Sequence, residues 1–98
     1  VANPGYPASA GAGTRCEYFL ATDDGRRILL DFVDFEITYD DYFVLYDGEE
    51  GDKVIANISS VVPGQVFQTI DSNVMRMVFT ASERSGTRKW KAHFDTDF

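Results

Sequence analysis

The chain holds a single cysteine, Cys16, so no disulfide forms within it. A buried free thiol is the ordinary cytosolic reading of such a residue. In an extracellular module an odd cysteine instead suggests a partner outside the chain. Histidine is equally scarce, with His93 alone. No apolar run approaches the roughly 18 residues that a membrane-spanning helix needs, and direct membrane insertion is not expected. The opening residues, Val1 to Gly5, lack a charged-then-apolar signal pattern, so a secreted protein would carry its signal upstream or have lost it. Basic charge is short as well: nine Lys and Arg stand against sixteen Asp and Glu, for a net charge of −7. A nucleic-acid binder needs a basic stripe to displace counterions from phosphate, so that partner class is excluded. The short basic stretches Arg26-Arg27 and Arg88-Lys89-Trp90-Lys91 read as solvated strand faces. No zinc spacing, phosphate loop or dinucleotide fingerprint occurs.

Apolar residues are plentiful: 44% of the chain is hydrophobic, with eight Phe, five Tyr and one Trp. A chain of 98 residues with that content is expected to pack as one domain over 1–98. The pattern is one of short strands. Up to Gly13 the segment is rich in Ala, Gly, Pro and Ser and reads as an irregular leader running along a core. Glu17 to Thr22 is a strand closed by Asp23-Asp24-Gly25. Arg27 to Ile37 alternates, with Ile28, Leu30 and Phe32 on one face; a slip at Val33-Asp34 predicts a bulge or bend. Tyr42 to Tyr46, Lys53 to Ile58, Gln65 to Thr69 and Val74 to Thr80 follow, separated by turn residues. In the last strand Trp90, Ala92 and Phe94 face one way, and Lys89, Lys91, His93 and Asp95 the other. No segment carries a helical period, so the fold class is all-β, an antiparallel sandwich whose apolar faces meet.

Catalytic readings find little support. His93 is expected on a polar strand face between Lys91 and Asp95, as a solvated imidazole rather than a general base. Ser59, Ser60 and Ser82 have no triad framework beyond it, and Cys16 would need a neighbouring imidazole to act as a nucleophile. Acidic residues gather at Asp23-Asp24, Asp40-Asp41 and from Asp47 to Asp52, which read as ordinary acidic turns or as receivers of basic partners or of a hard cation. Asn57-Ile58-Ser59 is a glycosylation sequon, compatible with secretion, with Asn57 as the acceptor. Trp90 shares its strand face with Ala92 and Phe94, so a core role is favoured over a sugar-binding platform.

Four stretches, in order, resemble the CUB domain family. Asn3-Pro4-Gly5-Tyr6-Pro7 with Cys16-Glu17-Tyr18 resembles the family's Pro-Asn-Tyr-Pro and Cys-x-Trp opening. Asp41 to Gly48 (DYFVLYDG) resembles its central Tyr-Asp-Tyr-Leu-x-Ile-Tyr-Asp-Gly signature. Ser72-Asn73 leading to Met75 through Phe79 resembles its Ser-Asn-x-Leu-x-Leu-x-Phe strand, and Trp90 to Phe94 its closing Gly-Phe-x-Ala-x-Tyr. The resemblance implies a jelly-roll-like β-sandwich and a non-catalytic module of extracellular protein recognition, secreted or on a cell surface.

It also implies two disulfides and, in many members, a calcium ion at one end of the sandwich that helps grip a partner's basic side chain. Here the third and fourth cysteines are replaced, within Ile37 to Asp40 and Val54 to Asn57. Cys16 matches the second, whose usual partner lies N-terminal to Val1. The family's calcium ligands map to Glu36 and Asp41, with the leader Tyr replaced by Ala10 and the late Asp by Ser82. Glu36, Asp41 and Ser82 are thus the candidate metal ligands, but two carboxylates and a hydroxyl make a poor calcium cage. No cofactor is expected, and a pair of exposed carboxylates at a loop is the favoured alternative. Even without metal, Glu36, Asp40 and Asp41 are the candidate partner-binding residues, placed to accept a Lys or Arg from another protein. A carbohydrate-binding sandwich is the alternative function.

Overall fold

The computed structural model describes residues 1–97 and contains seven strands in two antiparallel sheets: β1 (Arg15–Ala21), β2 (Arg27–Glu36), β3 (Tyr42–Asp47), β4 (Val54–Ile58), β5 (Val66–Gln68), β6 (Val74–Thr80) and β7 (Lys89–Asp97). One sheet has the order β1-β6-β3-β4 and the other β5-β2-β7. Strands that follow one another in sequence lie in different sheets, except β3 and β4, which pair, so the sandwich is stitched by crossovers between its layers.

Period-two alternation builds the core. Leu20, Ile28, Leu30, Phe43, Leu45, Met75, Met77, Phe79 and Trp90 point inward from both sheets and are buried. Phe43 lies at the centre, with ring centroids 4.7 Å from Phe79, 5.0 Å from Trp90 and 5.1 Å from Phe32. Edge-on and tilted aromatic contacts of this kind add to the area they bury. The register of β2 against β7 shifts between Phe32 and Asp34, at the slip in the alternation. The extra residue there, Val33, is exposed. Phe94 differs from its sequence reading: it is 40% exposed and lines a shallow hollow with Ile28, Thr22 and Thr96. It lies on β7, the edge strand of its sheet, past the Trp90–Ala92 stretch that the leader covers.

The leader does more than run along the core. Ala2 forms an antiparallel bridge with Lys91, Asn3 N–H donates to Trp90 O (3.1 Å) and Ala92 N–H to Val1 O (2.7 Å). These bonds cover the free edge of β7, which an open sheet would leave unpaired. Buried Asn3 locks the segment, accepting from Trp90 N–H at 2.8 Å and donating to the carbonyls of Pro4 and Ala8.

The two outer faces contrast. That of the three-stranded sheet is laced with charge: Asp31 opposes His93 (3.4 Å) and Asp34 lies 3.6 Å from Lys89. That of the four-stranded sheet runs Phe19, Arg76, Tyr46 and Val54 across its register, with the Arg76 guanidinium 4.1 Å over the Tyr46 ring.

Candidate functional site

The site lies where the β2–β3 loop, the β6–β7 loop and the leader converge. The first loop is closed by local chemistry. Asp40 takes a left-handed conformation (φ 70°), which a short polar side chain tolerates better than most. The chain then turns back, so that Asp41 N–H reaches Thr38 O at 3.0 Å and Thr38 N–H reaches Asp41 Oδ2 at 2.8 Å. Asp41 has the same strand parity as Phe43 and Leu45, and its carboxylate therefore points inward.

What meets it there is Arg88. Its Nε donates to Asp41 Oδ2 at 2.8 Å, with the two side chains 1% and 0% exposed. The remaining Asp41 oxygen, Oδ1, accepts from Ser82 N–H at 2.8 Å. Nη2 of Arg88 donates to the Ser82 carbonyl (3.1 Å), the Ser82 hydroxyl (3.2 Å) and the Arg84 carbonyl (2.6 Å). The Arg88 backbone holds the leader: its N–H donates to Ser9 Oγ (2.8 Å), and its carbonyl accepts from Ala10 N–H (2.7 Å). One residue thus ties all three segments together.

Burial alone would push the Asp41 carboxyl up. The N–H groups of Ser82 and Thr38, and then the Arg88 guanidinium, outweigh it and hold Asp41 below the usual carboxylate range. A buried ion pair survives when its remaining donors and acceptors are also satisfied, and here both carboxylate oxygens are.

Outside this buried pair the loops present a mixed tip. Tyr39 is 74% exposed, with the Arg84 guanidinium 5.0 Å from its ring centroid. Arg84 also pairs with Asp40 at 3.2 Å, both side chains being more than half exposed. Glu36 and Glu83 are exposed beside them in sequence.

The candidate residues therefore separate. Asp41 and Ser82 are brought into contact; Glu36 forms no hydrogen bond or ion pair with either among the described residues. Of the two carboxylates expected to be exposed at this loop, Glu36 is, as is neighbouring Asp40, but Asp41 is buried because strand parity turns it inward onto Arg88. Arg88 was the residue missed. Its sequence context, Arg88-Lys89-Trp90-Lys91, reads as a solvated basic stretch, yet it shares parity with buried Trp90 and Ala92 and is itself 1% exposed. That parity was the signal available. Asn57 is exposed on β4 opposite Val44, and Trp90 is fully buried. His93 sits on the charged outer face against Asp31. Cys16 is a free, half-buried thiol. Burial first, then the neighbouring Cys16, raises the Tyr18 hydroxyl, which stays protonated and donates to Ala2 O at 3.2 Å.

A two-sheet antiparallel sandwich with a leader sealing one edge and loops gathered at one end defines a class of small β modules. The family model of the CUB domain matches residues 1–94, and the chain belongs to that family. Two solved structures superpose over 99% of the chain. They are the CUB1-EGF-CUB2 domain of human MASP-1/3 (TM-score 0.80, 23% identity) and the CUB1-EGF-CUB2 domains of rat MASP-1 (0.79, 20%). The chain covers 40% and 39% of those two chains. Among curated proteins, the zinc metalloproteinase nas-39 of Caenorhabditis elegans is 25% identical over 100 residues. That match takes in 96% of this chain and spans 11% of the relative's length.

Proposed function

We propose that this CUB domain is a non-catalytic module of extracellular protein recognition, secreted or displayed at a cell surface. Family membership supports the coarse reading, since CUB domains are typically extracellular interaction modules. The observation that carries the finer reading is the loop tip. Tyr39, Asp40 and Arg84 are exposed on a base that the Asp41–Arg88 pair makes rigid. Loops held on a rigid scaffold are the usual place for binding residues.

In this reading Glu36 and Asp40 accept a basic side chain of the partner, while Asp41 supports them from beneath. The Asp40–Arg84 pair is exposed and weakly coupled, so a partner's Lys or Arg can displace Arg84. Tyr39 supplies apolar area beside that contact. An N-linked glycan on Asn57 accompanies passage through the secretory pathway.

The test is a binding screen of the secreted domain against an array of extracellular proteins, alongside a glycan array. Binding to a protein that weakens with added salt and with Glu36→Gln/Asp40→Asn supports the reading. Salt-insensitive capture of a glycan, lost on changing an exposed aromatic such as Tyr39, would replace it with the carbohydrate-binding alternative. A glycosidase-sensitive mass shift, absent in Asn57→Gln, checks the modification.

A further inference from the structure

The end of the sandwich where family resemblance implies calcium is chemically unsuited to it. Ala10 offers no side-chain oxygen in place of the leader tyrosine, and its N–H is committed to Arg88 O. Asp41 Oδ1 is taken by Ser82 N–H, and Oδ2 by Thr38 N–H and Arg88 Nε. The Ser82 carbonyl and hydroxyl both accept from Arg88 Nη2. Among the described residues no group of three or more Asp, Glu, His or Cys side chains converges to hold a metal. Calcium calls for six to eight oxygens, several of them carboxylate. The residues present do not fit it.

They do fit a guanidinium. We propose that Arg88 is the built-in cation of this domain, a side chain that holds the leader, the β2–β3 loop and the β6–β7 loop together without divalent metal. The fork supplies directed donors where a calcium ion would supply only charge. Nε serves the carboxylate while Nη2 collects the Ser82 carbonyl, the Ser82 hydroxyl and the Arg84 carbonyl. With one carboxylate in the site, a single positive charge balances it, whereas a divalent ion would be left with excess charge in a buried place. The packing is close on the far side as well: a Cβ at position 86 would fall on the Thr38 side chain, whose hydroxyl donates to Thr87 O at 3.0 Å.

Two consequences follow for a partner. The Asp41 carboxylate is already occupied from within the chain, so an incoming Lys or Arg meets the exposed acids Glu36, Asp40 and Glu83 instead. The loops that display those residues keep their order in calcium and in chelator alike. This inference concerns the free domain and stands whether or not the loop tip binds a protein.

The experiment is thermal melting of the unmodified chain in millimolar calcium and in excess chelator, followed by variants at position 88. Superimposable wild-type melts are expected; a Tm raised by calcium and lowered by chelator overturns the proposal, and needs no variant. Arg88→Met, which keeps length and removes charge and donors, is expected to lower Tm by on the order of 10 °C or more. Arg84→Met, which breaks only the exposed pair, should shift it by a few degrees at most. Arg88→Lys, which restores charge without the fork, should recover part of the loss. If Lys and Met at position 88 melt alike, or Arg88→Met melts like Arg84→Met, charge at this place is immaterial and the proposal fails. Should Arg88→Met not fold, a folded Arg88→Lys of lowered Tm supports the proposal. Melting of Arg88→Lys at the wild-type Tm would contradict it.

Discussion

Strand β3 is bracketed by two buried aspartates, and their surroundings differ in one respect. Asp41, just before the strand, and Asp47, at its end, share the inward parity of Phe43 and Leu45. Each accepts two backbone N–H groups: Asp41 from Thr38 and Ser82 (both 2.8 Å), Asp47 from Asp71 (2.9 Å) and Ser72 (3.1 Å). The counterions are not alike. Arg88 is buried against Asp41 at 2.8 Å, whereas Lys53 lies 3.4 Å from Asp47 with half its side chain in solvent. Lys53 also pairs with exposed Asp71. At the Asp47 end the backbone amides carry the carboxylate and the lysine is a solvated accessory. At the Asp41 end the cation is part of the interior and organises three segments of chain. The same residue type, reached by the same alternation, is thus a turn anchor at one end and half of a buried ion pair at the other.

The largest expected effect comes from deleting the buried carboxylate. Asp41→Ala leaves Arg88 charged and unpaired in the interior and should cost about 3–5 kcal/mol in urea unfolding. Asp47→Ala strands only two backbone donors and should cost about 1–3 kcal/mol. Equal losses would erase the contrast between the two ends. Gly86→Ala sharpens it from another side: its new Cβ meets Thr38 beneath the β2–β3 loop. Overpacking there should cost about 1–3 kcal/mol, while the Asp47 end stays unchanged by amide hydrogen exchange.

Acid provides a smaller, graded perturbation. Asp41 titrates below its usual range in the folded protein. Its contribution is therefore complete above the unfolded value, roughly pH 4, and is lost as pH falls through the folded value. The urea midpoint of the wild type should decline across that window, and Asp41→Asn should decline less. Parallel declines would mean that other carboxylates govern acid unfolding. Smallest of all is Lys53→Ala, which removes an exposed partner from two aspartates. Its urea midpoint should lie close to wild type, and what difference exists should vanish in high salt.

Most of the framework was legible in the alternation. The inward positions of Ile28 and Leu30 on β2 and of Trp90 and Ala92 on β7, and the slip at Val33, follow from period two alone. The pattern falters where its polar members fall on the inward face. Asp41, Asp47 and Arg88 each keep the parity of their apolar neighbours, but a charged side chain near a strand end is ordinarily solvated. Only the three-dimensional meeting of Asp41 and Arg88, 47 positions apart in the chain, reveals the pair. Phe94 failed in the opposite sense. Its parity is inward, yet it lies on the edge strand β7 past the residues that the leader covers, and remains 40% exposed. The leader's edge pairing was hidden because its bonds run through backbone groups, which composition does not report. At the candidate site, Glu36 and Asp40 were readable as surface acids, whereas the buried cation beneath them that organises their loops was not.

The central claim is that the Asp41–Arg88 contact is an interior tie, unlike the contact of buried Asp47 with half-solvated Lys53 at the other end of β3. A pair of double-mutant cycles measured by urea unfolding tests it most directly: Asp41→Asn with Arg88→Met, and Asp47→Asn with Lys53→Met. The account predicts coupling for Asp41 and Arg88 toward the top of the roughly 0.5–3 kcal/mol that contacting residues show, and almost none for Asp47 and Lys53. Coupling between Asp41 and Arg88 no larger than that between Asp47 and Lys53 would contradict it.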